Sequence, residues 1–210
     1  MTKASDSVAG VTATRTSQSE RRARTIGAIV DSTIDSLIEV GYAGTNARSI
    51  AKRAGVSQGA TTHHFPSRSA LIVAALDEIL NRLEADARSR IPALPRDPVK
   101  RRDEVILALR GLFAGPLFVA WARLWFAAAE DDELRDAMRP VERRAWERLR
   151  GTIEELLPEL ADDPQSPAKL AVVLSILRGL GLQEHFDPRR DENRLDTWPA
   201  HRLAIAEILS

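Results

Sequence analysis

Residues 47–65 read "ARSIAKRAGVSQGATTHHF", two short helical segments joined by only three residues, Gly55, Val56 and Ser57. No other feature restricts the folding of this chain as much. A connection that short forces consecutive helices to cross steeply, the arrangement of a helix-turn-helix. Gly55 suits the left-handed conformation that ends a helix, and Ser57 suits the cap of the next one. Val56 is then left to plug the gap, while Ala51 and Ala54 let the two helices approach closely. Upstream, Ile26, Ile29, Val30, Thr33, Leu37 and Val40 recur at three- and four-residue steps, predicting one long amphipathic helix from about Arg21 to Gly41. Thr45 is expected to cap the first short helix. Ser67, just past Pro66, is expected to cap a long one running to about Arg88.

Downstream, "IPALPRDP" places three prolines in seven residues and breaks the chain. Helical segments are predicted at about 98–113, 116–130, 131–157, 166–186 and 197–209, punctuated by Gly115-Pro116, "EDDE", Pro158, "DDPQSP" and "DPRRDEN". No stretch alternates in the manner of a strand. The predicted fold is all-α: a tail over 1–20, an N-terminal three-helix helix-turn-helix unit over 21–68, and a helical bundle over 69–210.

Charge is unevenly distributed. The formal net charge is zero, yet residues 1–68 carry nine Lys/Arg against five Asp/Glu, and the remainder 21 against 25. Such an asymmetry suits a polyanion at one end of the molecule only. Arg48, Lys52, Arg53 and Arg68 read as a cluster without a nearby acid. Cysteine is absent, so disulfide and thiolate chemistry are excluded, and a soluble protein in a reducing cytoplasm is expected. The longest apolar runs, such as "PLFVAWA", are too short to span a bilayer. No cofactor motif is present.

The stretch "GYAGTNARSIAKRAGVSQGATTHHFPSRSALI" resembles the tetracycline-repressor (TetR) family of bacterial transcription regulators. Gly41, Tyr42 and Thr45 match the family's glycine-aromatic turn and capping threonine. Arg48, Ile50, Ala51 and Ala54 to Ser57 match its Arg-x-Ile-Ala and Ala-Gly-Val-Ser runs. Gly59, His63, His64, Phe65 and Arg68 match the glycine, the aromatic/His cluster and the basic residue beyond it. The chain departs from the pattern at Thr61 and Thr62, where the family often has Leu-Tyr. The resemblance implies a homodimeric repressor released from a palindromic operator by a small ligand.

The paired histidines admit several chemistries. Adjacent helical residues point about 100° apart, and no Cys or well-placed carboxylate completes a metal site around them. No Asp or Glu occurs between Asn46 and Leu76, so an acid–base pair is also missing. A duplex-facing surface remains: His63 donating to a phosphate, with His64 divided between that surface and the core. On the same helix, Gln58 can read adenine bidentately, and Ala60 or the methyl of Thr61 can meet a thymine methyl. Gly59 permits close backbone approach. Ser57, Thr62, Arg48 and Arg68 complete the expected DNA-contacting set, and Arg21, Arg22 and Arg24 can add a flexible arm.

In the C-terminal body, three tryptophans and three phenylalanines fall within residues 113–146. Aromatic core is the simplest account of any one of them. Together Phe113, Phe118, Trp121, Trp125, Phe126, Met138 and Trp146 predict an apolar cavity for an apolar or aromatic effector. Arg110 and Arg123 are candidates to meet an acidic ligand. "PAKLAVVLSILRGLGLQEHF" is apolar nearly all round. With the last helix it can form a four-helix dimer interface through 166–186 and 197–209, which the resemblance favours. Two other classes compete: a helical enzyme using the Trp121/Trp125 cavity, and a structural DNA binder without sequence preference.

Overall fold

The computed structural model describes residues 17–91, 94–186 and 197–210. Among them the chain forms ten helices and no strand: α1 (Gln18–Gly44), α2 (Ala47–Ala54), α3 (Gln58–His64), α4 (Arg68–Ser89), α5 (Pro98–Leu112), α6 (Gly115–Glu130), α7 (Asp132–Leu156), α8 (Pro158–Ala161), α9 (Ser166–Phe186) and α10 (Trp198–Ile208). The all-α class is the one expected from the sequence. Among the described residues no single helix is long and apolar enough to cross a membrane.

Local chemistry explains where these helices start and stop. α1 begins earlier than its apolar stripe, because Ser17 and Glu20 form a capping box ahead of Arg21. The expected tail over 1–20 therefore loses its last residues to a helix; residues 1–16 lie outside the described part. α1 breaks at Gly41, whose φ of 71° and ψ of −174° suit only glycine. Thr45 seals that break instead of capping α2. Its hydroxyl donates to the Gly41 carbonyl at 2.8 Å and lies 3.0 Å from the Ser36 hydroxyl, fully buried. With that oxygen committed, Asn46 caps α2 by accepting the Ser49 N–H at 3.0 Å. Gly55 ends α2 in the left-handed region, and Ser57 and Ser67 cap α3 and α4 through the N–H groups of Ala60 and Ala70.

Two cores result. Ile29, Ile50 and Leu71 form the smaller, with Ala54, Val56 and Phe65 packed around it. Val56 is the plug between helices that its position predicts. Leu71 comes from the first turn of α4, so a unit ending at residue 68 would lack one of its three central side chains. The larger core takes Val30, Ile34 and Leu37 from α1 and Ile72, Leu76 and Ile79 from α4, then continues through α5, α6, α7, α9 and α10. α1 and α4 thus serve both cores, and the head is joined to the body by shared helices, not by a linker.

Candidate functional site

α3 has two unlike faces. Thr61 points inward, 1% exposed, with its hydroxyl 3.4 Å from the Ser57 carbonyl. This corrects the expectation that its methyl meets a base: the threonine occupies the inward position, as the family's leucine would. Gln58, Gly59, Thr62 and His63 are exposed, whereas Ala60 and His64 are half-buried. The two imidazoles lie edge to face, 5.2 Å apart, and neither hydrogen-bonds to another described residue. Thr62 folds its hydroxyl back onto the Gln58 and Gly59 carbonyls, both at 3.2 Å. A Cβ at Gly59 would meet only the Ser57 hydroxyl, at 3.8 Å, so nothing inside the molecule requires glycine there.

The basic residues around α3 are not equivalent. Arg48 and Lys52 are exposed on α2 and have no ion pair among the described residues. Arg53 does: α1 brings Glu39 against its guanidinium, with Asp35 3.9 Å away. The expected acid-free cluster is therefore corrected, because acids one helix away in sequence lie alongside in space. The bonded Arg53 holds the Glu39 carboxyl below its ordinary pKa. Arg68 is exposed but occupied. It donates to the Tyr42 carbonyl and sits 3.9 Å over that ring.

Tyr42 also ties the head to the body. Its hydroxyl donates to Asp131 Oδ2 at 3.0 Å, while Asp131 Oδ1 caps α7 through the Leu134 N–H at 2.9 Å. The Leu134 N–H, then the Tyr42 hydroxyl, hold the Asp131 carboxyl below its usual range. Burial, then the Asp131 bond, push the Tyr42 phenol up. From α6, Arg123 donates to the carbonyls of Leu37 (3.0 Å) and Ile38, just ahead of the Gly41 break. Arg123 is thus a joint between elements and not the expected ligand cation. Arg110 is likewise committed, bonded to Glu184 at 2.9 Å and stacked 4.2 Å over Trp198.

The body holds a cavity of about 270 Å³ between α4, α6, α7 and α9. Of the seven expected lining residues, Phe113, Trp121, Trp125 and Trp146 line it. Phe118 and Met138 do not; they are 0% and 2% exposed and belong to the solid core. Phe126 is 65% exposed, one residue past Trp125 and so turned to the outside of α6. Among the lining residues that the sequence reading missed, two lie against the indole rings. Glu142 accepts the indole N–H groups of Trp121 (3.1 Å) and Trp125, and Arg178 stacks 4.2 Å over Trp125 and 5.0 Å over Trp121. Arg178 had a signal: it is the sole charge between Lys169 and Glu184 in an otherwise apolar run. Glu142 sits in a charge-rich helix and had none.

Residues 29–75 match the sequence pattern described as bacterial regulatory proteins of the TetR family. The chain is 32% identical over 124 residues to an uncharacterised HTH-type transcriptional regulator of Mycobacterium tuberculosis, spanning 59% of this chain and 63% of that protein. To the HTH-type transcriptional regulator BetI of Stenotrophomonas maltophilia it is 30% identical over 161 residues, 74% of this chain and 78% of the relative. In structure it is similar to the multidrug binding protein EbrR complexed with ethidium, with a TM-score of 0.65 and 23% identity over 89% of this chain and 99% of the other.

Proposed function

The chain belongs to the TetR family of bacterial regulatory proteins, and from that premise we propose that it is a sequence-specific DNA-binding regulator acting as a ligand-released repressor. The observation that carries the reading is the divided α3: one side buries Thr61, and the other presents Gln58, Gly59 and His63 bare. In this reading α3 enters a major groove, Gln58 reads a base, and the exposed glycine lets phosphates come close to the backbone. Arg48, Lys52 and His63 contact phosphates, with Ser57, Ala60, Thr62 and the half-buried His64 at the margin of the footprint. Arg68 reaches a phosphate only by sharing its hold on Tyr42. The head comprises 21–68 completed by Leu71, and the body is the remainder.

The body acts as the effector and dimerisation unit, in the cytoplasm. Exposed small and apolar side chains form one stripe on α9 (Ala168, Val172, Ser175, Gly179) and another on α10 (Ala200, Leu203, Ala204). Val172 and Leu203 are 50% and 60% exposed, and two copies meeting there would bury both stripes in a four-helix interface. That EbrR holds ethidium favours a small-molecule role for the cavity. α6 carries Trp121 and Trp125 at the cavity and Arg123 at the end of α1, so a ligand that shifts α6 moves the head. Selecting bound DNA from a random pool tests the reading. It should return two-fold symmetric sites whose halves lie about 34–36 Å apart, or a multiple of that. Asymmetric sites, or binding without preference, would remove it.

A further inference from the structure

The cavity is apolar except for four charged side chains, and two of them, Glu84 and Arg148, are paired with each other. Glu84 accepts from Arg88 at 3.2 Å and from Arg148 at 3.3 Å, and Arg148 also donates to Asn81 at 3.0 Å. Glu142 accepts two indole N–H groups through one oxygen. Arg178 is different. Its Nε is buried without a hydrogen-bond partner, and it has no ion pair among the described residues. Three aromatic faces lie against it: Trp125 at 4.2 Å, Trp121 at 5.0 Å and Phe113 at 6.0 Å. Burial lowers its pKa from the ordinary arginine value, and the Glu142 carboxylate offsets this only in part. A guanidinium carries five N–H donors, and rings supply none of the acceptors they need.

We propose that the cavity takes a compact aromatic carboxylate, its anionic group forked by Arg178 and its ring laid against the Trp121–Trp125 pair. The inference rests on the cavity being the effector site and adds the chemical class of the effector. An anion supplies the missing acceptors in bidentate geometry. A cation would compete with Arg178 for the indole faces and for the Glu142 carboxylate, leaving that charge still less compensated. At about 270 Å³ the space lies near the lower end of ligand cavities, which favours one or two fused rings.

The test compares three probes of one shape by calorimetric titration: naphthalene-2-carboxylate, 2-naphthylmethanol and 2-naphthylmethylammonium. The carboxylate should bind about tenfold or more tighter than the alcohol, as expected for a charge-assisted pair. Arg178→Met should abolish that preference while retaining the alcohol's affinity, which reports an intact cavity. Arg178→Lys should keep part of the preference and guards against a methionine variant that fails to fold. Equal affinities, a preference for the ammonium, or no binding by any probe overturns the proposal. The effector reading fails separately. An Arg178-dependent carboxylate that leaves affinity for the selected DNA unchanged keeps the anion site and discards its regulatory role.

Discussion

Gly59 is the second residue of α3, exposed, with room for a Cβ. In the free protein Gly59→Ala should therefore raise stability by about 0.4–1 kcal/mol, because the unfolded chain loses conformational freedom. In the complex the added methyl stands where a phosphate or base edge must pass, so DNA affinity should fall. Melting and binding measured on the same preparation separate the two effects; a variant more stable and equally tight would place Gly59 outside the footprint. Asp131 supports a pH prediction. Its folded carboxyl is held below the ordinary value of about 3.9, so its contribution is complete above that value and is lost as pH falls through the folded one. Asp131→Asn should be less stable than the parent at neutral pH, and the gap should close in acid. Urea titrations showing a constant gap would deny the carboxylate this role.

The two glycines of α9 lie two residues apart, about 200° around the helix, and differ in what faces them. A Cβ at Gly181 would collide with the Phe113 carbonyl oxygen and come within 3.0 Å of the Phe118 ring, whereas at Gly179 nothing lies within 4 Å. The Phe113 turn is backbone and cannot step aside. Gly181→Ala should accordingly cost at least about 1–3 kcal/mol, the range for overpacking, and should disturb probe binding because Phe113 lines the cavity. Gly179→Ala should be harmless to the isolated fold. Thermal denaturation of the pair checks this, and similar melting temperatures would contradict the close approach. The sequence shows both glycines in one apolar run and offers no means of telling them apart.

At the scale of the whole molecule the question is which apolar residues serve the fold and which serve a second copy. Leu177 and Ile205 are 1% and 0% exposed, so a charge at either should unfold the protein whatever its assembly state. Leu203, 60% exposed, is the discriminating position. Leu203→Glu should leave helicity and melting nearly unchanged, yet produce monomers by sedimentation. Those monomers should bind the selected two-fold site far more weakly, because the second head no longer acts at high effective concentration. A Leu203→Glu protein that sediments with the parent would move the dimer face elsewhere.

Helix positions were legible in the chain because they depend on near neighbours. Apolar stripes at three- and four-residue steps, serine caps at positions 57 and 67, a left-handed glycine at 55 and clustered prolines set most boundaries within a few residues. The helix-turn-helix followed from the same short-range rules, and so did the outward side of α3 except at Thr61, which lies buried. What depended on distant segments was not legible. Thr45 was missed at shorter range: it turned from cap to seal through Gly41 and Ser36, four and nine residues back, at the break in α1. Arg53 found Glu39, Arg68 found Tyr42, and Arg110 and Arg123 were drawn away from the cavity by partners 74 and 85 or more residues distant. Phe118 and Met138 became core, Phe126 turned outward, and Glu142 with Arg178 entered the cavity, because helix crossings choose which side of each helix looks inward. A sequence states which side chains share a face; only the assembled helices decide what that face meets.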